Sequence, residues 1–362
     1  MRTLALTALL AVTTVVSCKT SAPSAATSSA ANRVPRVAPR ITVQTTGATS
    51  TLFAVFAVND SVVWASGSRG AVVRTTNGGR TWAMRPVPDG DKLEVRDVHA
   101  LSADSAFILS IGNGNASRIY FTADGGATWK LQFQNADTAA FYDCLTMLDS
   151  KVGIVFGDAA AGRTMVLRTA NGGATWALLP QSNVPAPVKG EGAYAASGRC
   201  VVHFGPKNVW IATGGPESRL FISNDAGVHW SLHTTPFVHT ATAGLSGLDF
   251  RDGLHGIGVA GDMSVNLRTD TANAVVAVTS DGGKSWELRT RPGLPGALTG
   301  VTWVPGVGPE TAVAAGFGGV FFTTDAGRSW TTVSDVGHAG LDAHGRTAWV
   351  GSTKGTVLRL DW

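Results

Sequence analysis

Four side chains in this sequence are of the types that hydrolyse glycosidic bonds. Asp97 lies in the segment EVRDVHA and Asp143 in AFYDCLT, while Glu191 and Tyr194 lie close together in KGEGAYAASGR. Glycoside hydrolysis generally needs two carboxyl groups, one as a proton donor and one as a nucleophile or base, and some enzymes use a tyrosine as the nucleophile. These four residues are therefore the candidate catalytic residues, provided that the fold brings them together.

The same three segments carry the candidate binding residues, which are Arg96, Tyr142, Ser197 and Arg199. An arginine can hold a carboxylate of a ligand through two parallel hydrogen bonds. Alignment of the repeats described below places Arg96 and Asp97 at the positions that Tyr142 and Asp143 occupy in the next repeat. In the alternative interpretation, these charged residues pair with one another between repeats or cap the ends of strands.

Other kinds of site receive little support from the sequence. His229 and His233 have no accompanying cluster of carboxylates or cysteines, so we expect no metal site. No phosphate-binding loop, dinucleotide fingerprint or serine-hydrolase motif is present, and we expect no cofactor. The net charge of +4 is spread along the chain, which argues against nucleic-acid binding and leaves an anionic membrane surface or an acidic protein as the partner of any basic excess.

The element that must position these residues is a repeat. One octet of the form Thr-x-Asp/Asn-Gly-Gly-x-Thr-Trp, with conservative changes, recurs six times, with its tryptophans 44 to 56 residues apart. Asn-Gly and Asp-Gly favour the tight turn of a hairpin, and the following tryptophan packs beside that turn. We therefore expect a structural rather than a catalytic role for the acidic or amide residue of each octet. These residues are Asn77, Asp124, Asn171, Asp225, Asp281 and Asp325.

A second series of repeats is independent of the octets. A short apolar strand that ends in glycine precedes each octet, and a seventh such strand ends at Gly351 without an octet after it. The seven glycines are Gly67, Gly112, Gly157, Gly214, Gly261, Gly316 and Gly351. Seven units of about 46 residues agree with the repeat length of β-propeller blades.

The count of strands predicts an all-β, seven-bladed β-propeller of four-stranded antiparallel blades over residues 40–362. The last unit lacks an outer strand, whereas the segment RITVQTT at residues 40–46 resembles the outer strands. We expect this N-terminal strand to complete the blade that begins at His338, because closure of the ring removes open sheet edges. The alternative is a six-bladed ring with residues 335–362 as an appendage.

The octets also predict which face of the ring is functional. If each octet joins the third strand of a blade to the fourth, the loops between blades open on the opposite face. Those loops, together with the loops after the second strands, form the expected binding face. The candidate residues fall where the inner strands begin on that face, near the mouth of the central channel.

The N-terminal region has the pattern of an exported protein. Residues 1–17 have a basic start and a short apolar run, which predicts a signal peptide. Cys18 follows small residues and is the expected lipid attachment site, with Lys19 favouring the outer membrane of a host that has two membranes; an ordinary signal peptide cleaved near Ala22 or Ala26 is the alternative. Residues 18–39 are rich in Ser, Ala, Thr and Pro and predict a flexible tether.

The two remaining cysteines lie in neighbouring predicted blades. Cys144 and Cys200 each lie shortly before a second strand. An exported protein is exposed to oxidising conditions, so a disulfide between them is one interpretation. Two buried thiols are the other.

The octet matches the Asp box, also called the BNR repeat, of sialidases and many other propellers. Together with the predicted lipid anchor and tether, the ring resembles the photosystem II stability/assembly factor family of cyanobacteria and plastids, and more widely the bacterial BNR-repeat proteins. The first resemblance implies a scaffold that binds a protein. A sialidase would carry an Arg-Ile-Pro signature in the first blade, and the only similar tripeptide, Arg33-Val34-Pro35, lies in the tether.

Two functions are consistent with this sequence. The first is an exported, membrane-anchored, monomeric and non-catalytic lipoprotein whose propeller binds an envelope protein or peptide. The second is a carbohydrate-active, sialidase-like enzyme that acts on a glycan with Asp97, Asp143 and Glu191 as its acids.

Overall fold

The computed structural model describes residues 38–264, 271–273 and 275–362. The predicted signal peptide, the predicted lipid attachment at Cys18 and the tether up to residue 37 lie outside these residues. None of the helices in the described ranges has the length and apolar character needed to cross a membrane.

The described chain forms seven four-stranded antiparallel sheets. The strands of the first blades are β1 (Arg40–Thr45), β2 (Leu52–Ala57), β3 (Val63–Gly67), β4 (Val72–Thr75), β5 (Ala83–Met84), β6 (Glu94–Ala100), β7 (Ala106–Ile111), β8 (Arg118–Thr122), β9 (Lys130–Gln134), β10 (Tyr142–Met147), β11 (Gly153–Ala160), β12 (Arg163–Thr169) and β13 (Ala177–Leu178). Short 3₁₀ turns lie at Gly90–Lys92, Gly114–Ala116 and Gln181–Asn183.

The remaining blades follow the same order. Their strands are β14 (Val201–Phe204), β15 (Asn208–Ala212), β16 (Arg219–Ser223), β17 (Ser231–Thr234), β18 (Ala243–Phe250), β19 (Gly256–Asp262), β20 (Val276–Thr279), β21 (Glu287–Leu288), β22 (Leu298–Trp303), β23 (Ala312–Gly316), β24 (Gly319–Thr323), β25 (Thr331–Ser334), β26 (His338–His344), β27 (Thr347–Ser352) and β28 (Thr356–Asp361). Blades 1 to 6 begin at β2, β6, β10, β14, β18 and β22.

Blade 7 contains strands from both ends of the described chain. Its order is β1-β28-β27-β26, and β1 pairs with β28 from Arg40 opposite Asp361 to Thr45 opposite Thr356. Gln44 also donates a hydrogen bond to the Gly78 carbonyl in the first octet, at 3.0 Å. The predicted seven-bladed ring and its closure by the N-terminal strand are confirmed, and the six-bladed alternative is wrong.

Burial decreases from the centre of the ring to its rim. All residues of the inner strands β10 and β22 are buried, because each inner strand packs between neighbouring blades. The outer strands β1 and β9 are mostly exposed. The second strands carry large aromatic residues that join neighbouring blades: Trp210 stacks on Phe250 with ring centroids 3.7 Å apart and donates a hydrogen bond to the Gly282 carbonyl.

Each octet lies between the third and fourth strands of its blade, and the octet of blade 2 shows how its side chains form the turn. The Thr122 hydroxyl accepts a hydrogen bond from the Gly126 amide at 2.8 Å, and Asp124 accepts one from the Thr128 amide at 2.9 Å. Hydrogen bonds from the hydroxyl and amide of Thr128 lower the pKa of Asp124 to about 2. Gly125 has a φ of 73°, which favours glycine at this position. The Asp124 side chain is thus used by the turn.

The inner strands contain a recurring β-bulge that changes the alignment of two predicted site residues. In β6 the register shifts between Val95 and Asp97, and in β10 it shifts between Tyr142 and Cys144. The bulged residues are therefore Arg96 and Asp143. The predicted alignment, which set Arg96 against Tyr142, is wrong by one residue, because the bulges align Arg96 with Asp143 and Asp97 with Cys144.

Cys144 and Cys200 form a disulfide in the structure, with their Cα atoms 6.0 Å apart. Both residues are fully buried. Cys144 lies in β10 and Cys200 directly precedes β14, so the bond joins blade 3 to blade 4.

The strand β1 is expected to contribute strongly to stability. A chain that lacks residues 1–46 loses the outer strand of blade 7 and exposes the hydrogen-bonding edge of β28, so it should aggregate. Its melting temperature should fall by about 5 °C or more, since 1 kcal/mol corresponds to a few degrees in a domain of this size. The control is a chain that begins at residue 38 and keeps β1. Equal melting temperatures and equal monomer fractions in the two chains would contradict the closure.

The disulfide can be tested by thiol titration of a Cys18→Ser chain, denatured without reductant. We expect no reactive thiol from Cys144 or Cys200 before reduction and reaction of both after reduction. Reaction of both cysteines in the unreduced sample would disprove the bond.

Candidate functional site

The segment of residues 195–199, named here the plug, crosses the central channel. The Ala195 carbonyl accepts a hydrogen bond from Arg96 of blade 2 at 3.1 Å. The Ser197 hydroxyl donates to the Thr299 carbonyl of blade 6 at 2.6 Å, and the Arg199 carbonyl accepts from the amide of residue 248 in blade 5 at 3.0 Å. Because the inner strands line the channel, contacts with three of them place the plug inside it.

Arg199 is the centre of a buried ion cluster within the channel. Its guanidinium lies 2.9 Å from the Asp249 carboxylate and 3.4 Å from that of Asp342. Burial alone would lower the pKa of Arg199, but Asp249, Asp342 and Asp97 together raise it. Burial raises the pKa of Asp97 to about 7 and also raises that of Asp342. The arginine thus offsets the cost of burying carboxylates in the channel.

The carboxylates of this cluster also join the blades. Asp97 accepts a hydrogen bond from the Leu145 amide of blade 3 at 2.7 Å. Asp249 accepts from the amide of Trp303 in blade 6 at 2.9 Å, and Asp342 accepts from that of residue 57 in blade 1 at 2.9 Å. Each acid therefore connects its own inner strand to the inner strand of the next blade.

A cavity lies at each end of the plugged channel. The octet-end cavity, on the face of the octets, has a volume of about 390 Å³ and is lined by Asp97, His99, Arg199, His203 and Phe204 among others. Burial lowers the pKa of His99 and of His203, so both imidazoles are neutral at pH 7. On the opposite face, the mouth cavity has a volume of about 330 Å³.

The mouth cavity has aromatic walls and a polar floor. Four half-buried aromatic residues line it, and they come from blades 1, 3 and 6 and from the segment that leads into the plug. They are Phe53, Phe141, Tyr194 and Phe317. The polar groups are Arg96, Asp143 and Asp158. A mostly apolar cavity with a few convergent polar groups is typical of a ligand site.

Asp143 and Asp158 form an acidic pair at this cavity. Burial, and then the neighbouring carboxyl of Asp158, raise the pKa of Asp143 well above its ordinary value. Burial also raises the pKa of Asp158, against hydrogen bonds from Asp143 and from the Ala193 amide. Two interacting carboxyl groups of this kind favour a state in which they share one proton.

The guanidinium of Arg96 lies over the Phe53 ring, with Cζ 3.5 Å from the centroid. It also lies 3.4 Å from the Glu94 carboxylate and donates to the plug carbonyl of Ala195 at 3.1 Å. Glu94 therefore offsets the charge of Arg96.

The structure does not bring the predicted acids together. Asp97 lies at the octet-end cavity and Asp143 at the mouth cavity, on opposite sides of the plug. Glu191 is buried at neither cavity: its carboxylate pairs with Arg219 and accepts a hydrogen bond from the Thr213 hydroxyl at 2.9 Å. The pair with Arg219 leaves Glu191 as a structural residue.

The other predicted site residues divide in the same way. Arg96 and Tyr194 line the mouth cavity, and burial raises the pKa of Tyr194 to about 12. Tyr142 packs edge-on against Phe133, outside the cavity lining. Ser197 and Arg199 belong to the plug and are bonded to neighbouring strands.

Asp158 and three of the aromatic residues were not among the site residues predicted from the sequence. Asp158 directly follows Gly157, which ends a second strand, and Phe317 directly follows Gly316 in the same way. Loops after the second strands were expected on the binding face, but nothing in the sequence distinguishes these two residues from their counterparts in other blades. The described residues contain no cluster of three or more His, Cys, Asp or Glu side chains arranged for a metal ion.

Comparison with known proteins identifies the fold. No protein-family model matches the chain, and no curated protein matches it either. Two YCF48 structures match with a TM-score of 0.62: YCF48 bound to D1 peptide, at 15% identity over 90% of this chain and 100% of that one, and YCF48 from Cyanidioschyzon merolae, at 17% identity over 90% and 99%. This chain shares their overall fold.

The GH74 enzyme of Niastella koreensis matches with the same TM-score of 0.62, at 14% identity over 88% of this chain and 53% of that one. The chain therefore spans about half the length of this enzyme. At these identities the matches show the fold alone.

Replacing Arg199 tests the ion cluster. Arg199→Met leaves the buried carboxylates without their cation, so the free energy of unfolding should fall by about 3 to 5 kcal/mol at pH 8. A carboxyl whose folded-state pKa is raised, such as Asp97 at about 7, favours the folded state as pH falls through that pKa. The stability difference between variant and wild type should therefore shrink from pH 8 to pH 5. Denaturant unfolding at both pH values measures it, and a difference independent of pH would contradict this account.

Proposed function

We propose that the protein is an exported, lipid-anchored, non-catalytic propeller that binds a peptide or a protein segment at the mouth cavity. This proposal rests on one observation: half-buried aromatic side chains and the Asp143–Asp158 pair line the same cavity. Aromatic residues provide most of the binding energy at protein interfaces when they surround a pocket that a partner can fill.

The plug supports a binding site of limited depth. Because residues 195–199 close the channel, a ligand at the mouth can insert a side chain but cannot thread through the ring. A rigid cavity with loops around it suits a peptide whose anchor side chain enters the mouth and whose backbone lies across the loops. Little ordering of the propeller is then needed on binding, which favours affinity.

The fold is compatible with this use, since a YCF48 propeller has been solved bound to D1 peptide. We further propose that the octets are Asp boxes, that Cys18 carries a lipid and that residues 18–39 form a flexible tether. A lipid anchor and a flexible tether would hold the ring near a membrane, where it would assist the assembly of a membrane complex. On this proposal the protein acts as a monomer and needs no cofactor.

The geometry does not favour the alternative of a carbohydrate-active enzyme. Glycosidases place their two carboxyl groups about 5 to 9 Å apart, on either side of the bond that they cleave. In the mouth cavity Asp143 and Asp158 are in direct contact. Glu191 is held by Arg219, and Asp97 lies beyond the plug. No two of the predicted acids line the same cavity, so none of their pairs is placed to flank one bond of a ligand there.

Selection of a displayed random-peptide library on the Cys18→Ser chain tests peptide binding and its location. Peptides selected on this chain should lose at least about tenfold in affinity when Phe317→Ala removes one wall of the mouth cavity, as expected for an aromatic anchor site. The matched control is Phe204→Ala, which removes an aromatic side chain of the octet-end cavity and should leave the affinity unchanged. Equal losses in both variants, a loss only in Phe204→Ala, or no enriched peptide would contradict the proposal.

A further inference from the structure

The acidic pair of the mouth cavity has few hydrogen-bond donors around it. Asp143 is only 2% exposed, its side chain is hydrogen-bonded to that of Asp158, and its buried Oδ2 atom accepts no N–H or hydroxyl hydrogen bond from the described residues. Full ionisation of a buried pair without donors costs free energy. Because both carboxyl groups line the cavity, a donor on a bound ligand can take the place of the shared proton.

The charges around the cavity favour a cation. Asp143 and Asp158 together carry one negative charge when they share one proton. The one cation that lines the cavity, Arg96, is already offset by Glu94 at 3.4 Å and is bonded to the plug. An anionic ligand would be repelled by the acidic pair. Among the described residues that line the cavity, no further arginine or lysine could balance the charge of such a ligand.

The walls of the cavity suit a cation as well. Aromatic faces attract ammonium and guanidinium groups, and the protein already uses this interaction where Arg96 lies over Phe53. The rings of Phe141, Tyr194 and Phe317 also line the cavity. An aliphatic stem can pack against these rings while its charged end reaches the carboxyl pair.

We propose that the mouth cavity binds a lysine or arginine side chain of the partner peptide, with its charged group donating a hydrogen bond to the Asp143–Asp158 carboxyl pair. This inference rests on the proposed function and adds the chemical class of the anchor residue. The ligand cation takes the role that the shared proton has in the unbound pair, so the pair becomes fully ionised on binding and releases its proton.

The pH dependence of binding follows from this exchange. Arg96 from β6 interacts with Asp143, and Tyr194 from the segment before the plug interacts with Asp158. Glu94 from β6 pairs with Arg96, and Asp262 from β19 interacts with Tyr194. The pKa values of Asp143 and Asp158 are raised, so acid keeps the pair protonated and competes with the cation. Affinity for a cationic peptide should therefore rise with pH, by at most about tenfold per unit where one proton is released.

Three acetylated and amidated pentapeptides test the inference on the Cys18→Ser chain. Each has a central lysine, norleucine or glutamate flanked by alanines, so that the central side chain carries the only charge. We expect the lysine peptide to bind at least about tenfold more tightly than the norleucine peptide, as a charged hydrogen bond and aromatic contacts imply. Its affinity, measured by calorimetry or NMR titration, should increase from pH 5 to pH 8.

Asp143→Asn and Asp158→Asn each remove one charge of the pair. Each variant should therefore bind the lysine peptide at most about twofold more tightly than the norleucine peptide. Each should also lose most of the pH dependence of binding. Asp281→Asn in an octet is the matched control, since Asn77 and Asn171 occupy the same position in other octets. It should change neither quantity. Two separate variants guard against a failure of either one to fold, which the melting temperature reports.

The outcomes separate this inference from the proposed function. Equal affinities for lysine and norleucine, tighter binding of glutamate, or an affinity that falls with pH would overturn the cationic anchor. If library peptides still depended on Phe317, peptide binding at the mouth would stand. The inference would also be overturned if none of the three pentapeptides bound and the peptides selected from the library contained no basic residue.

Discussion

The buried cluster of Arg199 and its surrounding aspartates determines how the centre of this ring is built. Asp249 and Asp342 pair with the guanidinium, and they and Asp97 accept amide hydrogen bonds from neighbouring blades. Without the arginine, three carboxylates would be buried in the channel at a large cost. The segment that brings Arg199 into the channel also divides the channel into two cavities, so the ion cluster fixes both the packing of the inner strands and the depth of the mouth.

The architecture was predictable because it depends on local patterns that recur. Each octet contains, within eight residues, the side chains and glycines that form its turn. The apolar strands that end in glycine provide a second count of the blades. The position of β1 followed from the same count, since a blade without an outer strand would leave a sheet edge open. The structure confirms both the number of blades and the closure.

The site was less predictable because it depends on contacts between distant segments. Pairing of Glu191 with Arg219 and insertion of Arg199 into the channel have no signature in a single sequence. The bulges in the inner strands added a further difficulty, since their register has no signature in a single sequence. Asp143 is the bulged residue of β10, whereas Asp97 follows the bulge of β6, and the two acids lie at different ends of the channel. Arg96 and Tyr194 line the mouth cavity, since they lie in or before inner strands on the face opposite the octets.

The most direct test of this account is a crystal structure of the Cys18→Ser chain with the lysine pentapeptide at pH 8. The account predicts the lysine side chain in the mouth cavity, with its ammonium nitrogen within hydrogen-bonding distance of the Asp143 or Asp158 carboxylate and its stem against Tyr194 and Phe317. A peptide in the octet-end cavity beside His203, or a lysine side chain in solvent with no contact to the Asp143–Asp158 pair, would contradict it.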